Sequence, residues 1–153
     1  EWLGDDAFLT TFFNALSIAF PAGEKFFIDA VRHYADRIVD PALKADIQGF
    51  CGQEGFHRRE HQRYNETLCA ARGYDLAALE GTLTRRLRWA QRNLSPMKNL
   101  AITVAIEHFT AVLAEILLRP GSALDHTDPA MRALWRWHAA EELEHKTVAF
   151  DVY

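Results

Sequence analysis

Two motifs of the form Glu-x-x-His carry the clearest chemistry in this sequence, at Glu54–His57 and at Glu142–His145. Residues three apart lie on one face of an α-helix, so the carboxylate and the imidazole of each motif can point the same way. A further glutamate precedes each motif, Glu24 before the first and Glu107 before the second. Four helices that direct these six residues inward would bring four carboxylates and two imidazoles together. This order is typical of helical bundles that hold two metal ions.

The neighbours of these residues indicate that the motifs are buried. Apolar residues surround the glutamates at helical spacing, among them Ile47, Phe50, Leu100, Val104 and Trp135. A buried carboxylate or imidazole is costly unless it is paired or binds a metal. Mixed nitrogen and oxygen ligands suit iron or manganese, so we expect two iron ions, with manganese as the alternative. Glutamate–arginine pairs on amphipathic helices would explain any one of these residues, but not all six in this order.

Two more histidines share the faces of the motifs. His138 lies four residues before Glu142, and His61 lies four residues after His57. In a bundle where the two helices run antiparallel, both are displaced by about 6 Å toward the same end and form one layer. We predict His138 as a metal ligand and His61 as a residue that orients ligands or shuttles protons. The alternatives are that His138 only orients ligands and that His61 is itself a ligand. Tyr64 is a candidate hydrogen-bond or radical partner in this layer, with ordinary packing as its alternative.

The rest of the sequence supplies the helices. The predicted segments run from Asp6 to Phe20, Glu24 to Val39, Asp40 to Arg72, Leu76 to Gln91, Ser95 to Leu118 and Asp128 to the end. Proline restricts the residue before it, so we expect a kink or break at Pro21. Asp40-Pro41, Ser95-Pro96 and Asp128-Pro129 each combine an N-cap residue with a proline in the first turn. Gly73 is the expected stop of the second site-bearing helix.

The spacing between the motifs predicts the topology. Glu24 and Glu54 are 30 residues apart, and Glu107 and Glu142 are 35 apart, each the length of a helix–turn–helix step. The 53 residues from Glu54 to Glu107 leave room for another helix. We therefore predict an all-α, ferritin-like four-helix bundle with a long helical crossover between the second and third site-bearing helices. Residues 1–153 suit a single domain, which we expect to be part of a longer chain.

The overall composition argues against several classes of protein. The net charge is only −4, and the basic run Arg85, Arg86, Arg88 is too short to indicate a nucleic-acid surface. Cys51 and Cys69 lie about 27 Å apart along one predicted helix and cannot bridge each other. We infer a reducing compartment, and we see no signal peptide and no apolar run long enough to span a bilayer. A cytoplasmic location is therefore expected.

Four segments carry a resemblance to a known family. They are Phe20–Phe27, Gln53–His61, Glu107–Ala111 and Trp137–Tyr153. In these segments the chain resembles the bacterial ferritin-like proteins described as predicted metal-dependent hydrolases, and the resemblance extends over nearly the whole chain. It implies a helical bundle with a metal-dependent activity. The stripe of His138, Glu142 and His145 is also similar to that of the arylamine N-oxygenases, which are di-iron enzymes with one more histidine than most.

Three functions are compatible with these observations. We expect a non-haem di-iron enzyme that activates dioxygen, an oxygenase or oxidase with a small-molecule substrate and an electron-donor protein. Glu54, Glu107 and Glu142 would bridge the two ions or shift between them. The first alternative is a dinuclear metal-dependent hydrolase, although such sites usually draw ligands from loops and strand ends. The second is a non-catalytic iron-binding bundle, which the extra histidines disfavour. The sequence leaves homo-oligomerisation open.

Overall fold

The computed structural model of the chain describes residues 2–153, which are helical almost throughout. The helices are α1 (Ala7–Ala35), α2 (Pro41–Arg72), α3 (Leu76–Asn93), α4 (Pro96–Leu118), α5 (Pro129–His145) and α6 (Val148–Val152), with a 3-10 turn at Ala123–His126. Between residues 2 and 153 there is no β-strand, only an isolated bridge that joins Leu3 to Thr127. The predicted all-α class is therefore confirmed.

The predicted helix boundaries are set by local side-chain caps. Asp40, Ser95 and Asp128 each accept a hydrogen bond from a backbone N–H in the first turn of the following helix. Proline follows each of them and contributes a backbone angle that already suits a helix. At the end of α2, Gly73 has a φ of 69°, a left-handed conformation that glycine adopts without steric cost.

Pro21 does not break the first helix. The two segments predicted to meet there form the single helix α1, which ends at Ala35 rather than at Val39. Proline lacks an N–H, so the carbonyl of Ser17, four residues earlier, has no partner within the helix. Asn65 on α2 donates a hydrogen bond from Nδ2 to that carbonyl at 2.8 Å. A contact between helices thus replaces the lost intrahelical bond, and the predicted break was wrong.

The last predicted helix is divided. It ends at His145, and after Lys146 and Thr147 the short helix α6 begins at Val148. The prediction of one helix from Asp128 to the end was therefore wrong. The interruption has a packing role, because α6 lies against α2 and α4 and buries Val148 and Val152 at one end of the bundle.

The helices pair in the order that the motif spacing predicts. α1 packs along α2, and α4 packs along α5. The helix between these pairs in sequence, α3, packs mainly on α1. It occupies the predicted place of the crossover, between the second and third of the helices that carry the motifs. This arrangement is compatible with a ferritin-like bundle.

Buried positions on the four helices that carry the motif residues recur mainly at steps of three and four residues. On α5 and α6 they include Trp135, His138, Glu142, His145, Ala149 and Val152. On α2 they include Ile47, Phe50, Glu54, His57 and His61. This spacing is typical of helices that pack at a small angle in a bundle. The glutamates and histidines therefore occupy core positions.

The core is apolar at both ends and polar between them. The Phe50 cluster contains Phe26, Phe27, Val31, Ile47, Phe50, Leu100, Val148 and Ala149. The Trp135 cluster contains Leu3, Phe13, Ala114, Leu117, Leu124, Trp135 and Ala139. Along the chain Glu24 lies between Phe13 and Phe26, and Glu107 lies between Leu100 and Ala114, so the motif residues lie between the two clusters. We refer to the buried residues between the clusters as the polar layer.

Helix α4 is strongly apolar although only part of it is buried. Its 23 residues reach a mean hydropathy of 1.8 in an 18-residue window, of which 28% is buried. By length and composition it could cross a bilayer, which corrects the expectation that no apolar run is long enough. Phe109 and Ile116 are exposed on its outer face. Its inner face carries the buried Glu107, so α4 also contributes to the polar layer.

Candidate metal centre

Seven ionisable side chains from four helices meet in the polar layer. They are Glu24 from α1, Glu54 and His57 from α2, Glu107 from α4, and His138, Glu142 and His145 from α5. Each is at most 4% exposed to solvent. These are the seven residues that the sequence predicts as metal ligands, and the structure brings all of them together.

The seven residues form two groups, each compact enough to share one ion. The first group consists of Glu24, His57 and His138. The second consists of Glu54, Glu107, Glu142 and His145. Within a group, one donor atom of every residue lies within 4.8 Å of those of the others. Each group contains both carboxylate oxygen and imidazole nitrogen, the mixture that suits first-row divalent metals.

Two glutamates of the second group also face the first. Glu142 Oε1 lies 3.0 Å from His138 Nε2 and 3.6 Å from His57 Nδ1. The same oxygen lies 3.8 Å from His145 Nε2. Glu54 Oε1 lies 3.0 Å from His145 Nε2, and its Oε2 lies 3.9 Å from His57 Nδ1. Glu54 and Glu142 therefore lie between the two groups, close to histidines of both.

The carboxylate oxygens of this site are buried without hydrogen-bond partners. Both oxygens of Glu24, Glu54 and Glu107 and the Oε2 of Glu142 are in this state. Leaving one buried polar group unpaired costs roughly 1–3 kcal/mol, and more when the group is charged. Seven unpaired oxygens side by side would therefore destabilise the folded state strongly unless another group bound them. Metal cations would supply that partner, so the residues fit a metal centre.

Burial and mutual repulsion raise the pKa values of three of these glutamates, Glu24, Glu54 and Glu107. Burial is the main cause of the raised pKa of Glu24, followed by the charges of Glu54, Glu142 and Glu107. The pKa of Glu54 is raised by burial and then by Glu142, and that of Glu107 by burial and then by Glu54. Carboxylates this close together cannot all ionise without nearby positive charge. Two divalent cations would balance the four negative charges.

Hydrogen bonds on the outer side fix two of the histidines. His57 Nε2 donates to Glu141 Oε2 at 2.9 Å, and His145 Nδ1 donates to Gln53 Oε1 at 3.0 Å. The amide of Gln53 is oriented because its Nε2 donates to Glu144 Oε2 at 2.8 Å. Carboxylate and amide oxygens only accept, so the inward atoms His57 Nδ1 and His145 Nε2 carry lone pairs. Histidines that bind metals are typically held in this way.

The histidines of the polar layer are held in the neutral form. Burial, followed by the nearby His138, lowers the pKa of His57 to about 2. Burial, followed by His145, lowers the pKa of His138 to about 3. The pKa of His61 is also lowered, by burial and then by His138. A neutral imidazole is the form that binds a metal, so these rings need no deprotonation first.

His61 and Tyr64, the two residues predicted beside the metal ligands, have different hydrogen-bond partners. His61 Nε2 lies 2.7 Å from His138 Nδ1, so these two histidines form one layer beside the two groups. The hydroxyl of Tyr64 instead donates to Oδ1 of Asn14, which lies one turn before Ser17 on α1. The Tyr64 hydroxyl therefore bonds to α1 rather than to a histidine of that layer, and its candidate role stays a prediction.

Sequence reasoning missed the residues that hold the outer nitrogens. Gln53 and Glu141 each directly precede a motif glutamate, on α2 and α5 respectively. Each supports the histidine of the opposite helix, Gln53 that of α5 and Glu141 that of α2. The signal that could have identified them is this shared position before the motif. Their partners, however, depend on the register between the two helices, which the sequence does not contain.

Comparison with known proteins identifies the family of this chain. Neither a curated protein nor a solved structure matches it significantly. A family model described as "predicted metal-dependent hydrolase" matches residues 1–153. That description agrees with the two ligand groups, and it favours the hydrolase alternative over the dioxygen-activating enzyme that we expected from the ligand set. The chain belongs to the family of predicted metal-dependent hydrolases.

Proposed function

We propose that the polar layer binds two divalent metal ions and that the protein is a dinuclear metal-dependent hydrolase. The observation that carries this proposal is the set of seven buried carboxylate oxygens without hydrogen-bond partners. They lie beside the inward nitrogens of His57, His138 and His145, and every residue that carries them offers an atom to one of the two ligand groups. The family description supports hydrolysis as the reaction.

The positions of the side chains assign the ligands. Glu24, His57 and His138 would hold one ion, and Glu107 and His145 the other. Glu54 and Glu142 face both groups and would bridge the ions. When bound, two such ions polarise a carbonyl or phosphoryl group and lower the pKa of a water molecule that they share. The chain itself neutralises the ions and excludes bulk water, since all seven side chains are buried between two apolar clusters.

A narrow apolar cleft reaches the polar layer at His138 and Glu142. Its volume is about 20 Å³, close to the space that one water molecule needs. The other residues that line it are Phe20, Thr110, Leu113, Ala114, Leu117, Trp135 and Ala139. Water can approach the layer by this route, whereas a larger substrate requires some of these side chains to move. We therefore propose a small-molecule substrate.

Two observations favour a second candidate, activation of dioxygen by two iron ions. Four carboxylates and three histidines from four helices form the type of ligand set that di-iron bundles use. The apolar cleft at His138 also has a size that admits a diatomic molecule. This function would require an electron donor in addition to the substrate. It remains the alternative, because the family description specifies hydrolysis.

The first test of the proposal is metal content. Protein produced with ample iron, manganese or zinc and then dialysed is expected to retain two metal ions per chain, separated by about 3.5–4 Å as in other dinuclear sites. Elemental analysis gives the stoichiometry, and X-ray absorption gives the separation. A reproducible content of zero or one ion per chain would remove the dinuclear proposal.

The second test separates the two reactions. Protein loaded with manganese or zinc is expected to hydrolyse at least one member of a panel of small esters, amides and phosphoesters. Its rate should exceed that of the Glu54→Gln variant, which serves as the background. In parallel, iron is loaded without oxygen, and the optical spectrum is followed as oxygen is added. Oxygen consumption by the wild type, with hydrolysis no faster than background, would replace the first candidate with the second.

A further inference from the structure

His138 differs from the other two inward-facing histidines in the group that holds its outer nitrogen. Glu141 and the Gln53 oxygen can only accept a hydrogen bond, so each fixes one tautomer of its histidine. The outer nitrogen of His138, Nδ1, instead lies 2.7 Å from Nε2 of another histidine, His61. A neutral imidazole nitrogen can donate or accept, so His61 alone does not decide where the proton of His138 lies.

The hydrogen bonds on the other side of the His61 ring determine where the proton of His138 lies. Asn65 Nδ2 donates to the Ser17 carbonyl at 2.8 Å, so the oxygen of the same amide must face the Ser17 hydroxyl. That oxygen, Asn65 Oδ1, lies 2.7 Å from Ser17 Oγ and can only accept, so the hydroxyl donates to it. The Ser17 oxygen is then left to accept from His61 Nδ1, at 2.8 Å.

The same reasoning continues to His138. With its proton on Nδ1, neutral His61 offers a lone pair on Nε2 and accepts a hydrogen bond from His138 Nδ1. The proton of His138 is thereby held on its outer nitrogen, and the lone pair of Nε2 faces Glu24 and Glu142. All members of this chain are buried, and the rings of Phe20 and Trp135 cover His61 at 4.8 and 5.3 Å between centroids.

The origin of the chain is the proline in α1. Pro21 has no N–H to donate to the Ser17 carbonyl, so this carbonyl accepts a hydrogen bond from Asn65 Nδ2 instead. That bond fixes the orientation of the Asn65 amide. The chain ends at a backbone carbonyl, which has no proton to transfer. It can therefore set orientation, but it does not lead protons from His61 to solvent.

We propose that Pro21, Asn65, Ser17 and His61 form a positioning chain that holds His138 with its proton on Nδ1 and its Nε2 lone pair toward the metal centre. The metal part of this inference rests on the proposed function, whereas the tautomer is a property of the metal-free protein. The opposing influence is Glu142, whose Oε1 lies 3.0 Å from His138 Nε2 and would draw the proton inward if it were ionised. The contact between His138 and His61 is shorter, at 2.7 Å, and its donor and acceptor are fixed by Ser17 and Asn65.

The experiment is a measurement of histidine tautomers by NMR on the metal-free chain labelled with ¹⁵N-histidine. In the wild type, His138 and His61 are both expected to carry the proton on Nδ1. Ser17→Ala removes the acceptor of His61, and Asn65→Leu frees the Ser17 hydroxyl to donate to His61 instead. Both variants are expected to move the His61 and His138 protons partly or wholly to Nε2. Ser17→Thr, which keeps the hydroxyl, should retain the wild-type tautomers.

Zn²⁺ affinity, measured by competition with a chelator, gives the second readout. Ser17→Ala and Asn65→Leu are expected to lower the affinity for one of the two ions by about 10–100-fold. This is the usual effect of removing a residue that orients a metal ligand through hydrogen bonds. Thr103→Val is the matched control, because it removes a buried hydroxyl that bonds only within α4. A wild-type His138 protonated on Nε2, or variants with unchanged tautomers, would overturn the proposal. If the wild-type protein shows the expected tautomers but binds no Zn²⁺, the positioning chain stands and the proposed function is refuted.

Discussion

Glu54→Gln is expected to remove at least one of the two metal ions, and Glu142→Gln should do the same. Each glutamate faces both ligand groups, Glu54 through its two oxygens and Glu142 through Oε1, so either substitution alters the surroundings of both groups. Glutamine offers one acceptor oxygen, and its amide nitrogen only donates. It also removes a negative charge from a site that must balance two divalent cations. Elemental analysis after dialysis should therefore give one ion per chain or none.

The distribution of losses among variants tests the assignment of bridging and terminal ligands. Glu24→Gln and Glu107→Gln are each expected to lose one ion and keep the other, because Glu24 lies near His138 of its own group and Glu107 near His145 of its own group. Glu66→Gln, on the exposed face of α2, is the control and should keep two ions. Equal losses in all four ligand variants would contradict the distinction between bridging and terminal glutamates. Full metal content in Glu54→Gln would contradict the centre itself.

The local features of this fold could be predicted from the sequence because each depends on neighbouring residues. The caps at Asp40, Ser95 and Asp128 use side chains that bond the first turn of their own helices. The inward direction of the motif residues follows from the three-residue spacing, which places them on one face of a helix. The convergence of four such faces then follows from the apolar residues that continue each stripe.

Contacts between helices explain what could not be predicted. The continuity of α1 through Pro21 depends on Asn65, 44 residues away, which bonds the carbonyl that proline leaves free. The support of His145 by Gln53 joins residues 92 positions apart. Such pairs are fixed by the register and rotation of one helix against another. Periodicity within a single helix contains no information about either quantity, so the supporting residues were missed although the ligands were found.

Removing the metal should lower the melting temperature strongly, and the loss should grow as the pH rises. An ion at 1,000 times its Kd stabilises the folded state by about 4 kcal/mol. For a chain of this size 1 kcal/mol corresponds to roughly 2–4 °C, so loss of two ions should lower Tm by on the order of 20 °C. The effect depends on pH because the ligands in the metal-free protein have shifted pKa values.

The signs of these shifts define the expected profile. The pKa values of Glu24, Glu54 and Glu107 are raised from 4.5, so their contribution to stability is full below that pH and is lost as the pH rises through the raised values. The lowered pKa values of His57 and His138 contribute stability above 6.5 that is lost as the pH falls. The carboxyl contribution therefore makes metal-free stability fall as the pH rises above 4.5, whereas the contribution of these two histidines changes only below 6.5.

Bound metal reverses this dependence. In the metal-loaded protein the carboxylates are ionised and paired with cations, so their folded pKa values lie below the ordinary ones and their stabilisation persists at high pH. Thermal unfolding of chelator-treated and metal-loaded protein at pH 6.5 and pH 8.5 should therefore give Tm values that diverge as the pH rises.

Glu107→Gln removes one titrating carboxyl and should reduce the decline in Tm of the chelator-treated protein, whereas the exposed Glu66→Gln should not. If Tm changes with pH in parallel with and without metal, the buried carboxyls do not form the ligand set, because ligands and free carboxyls must titrate differently.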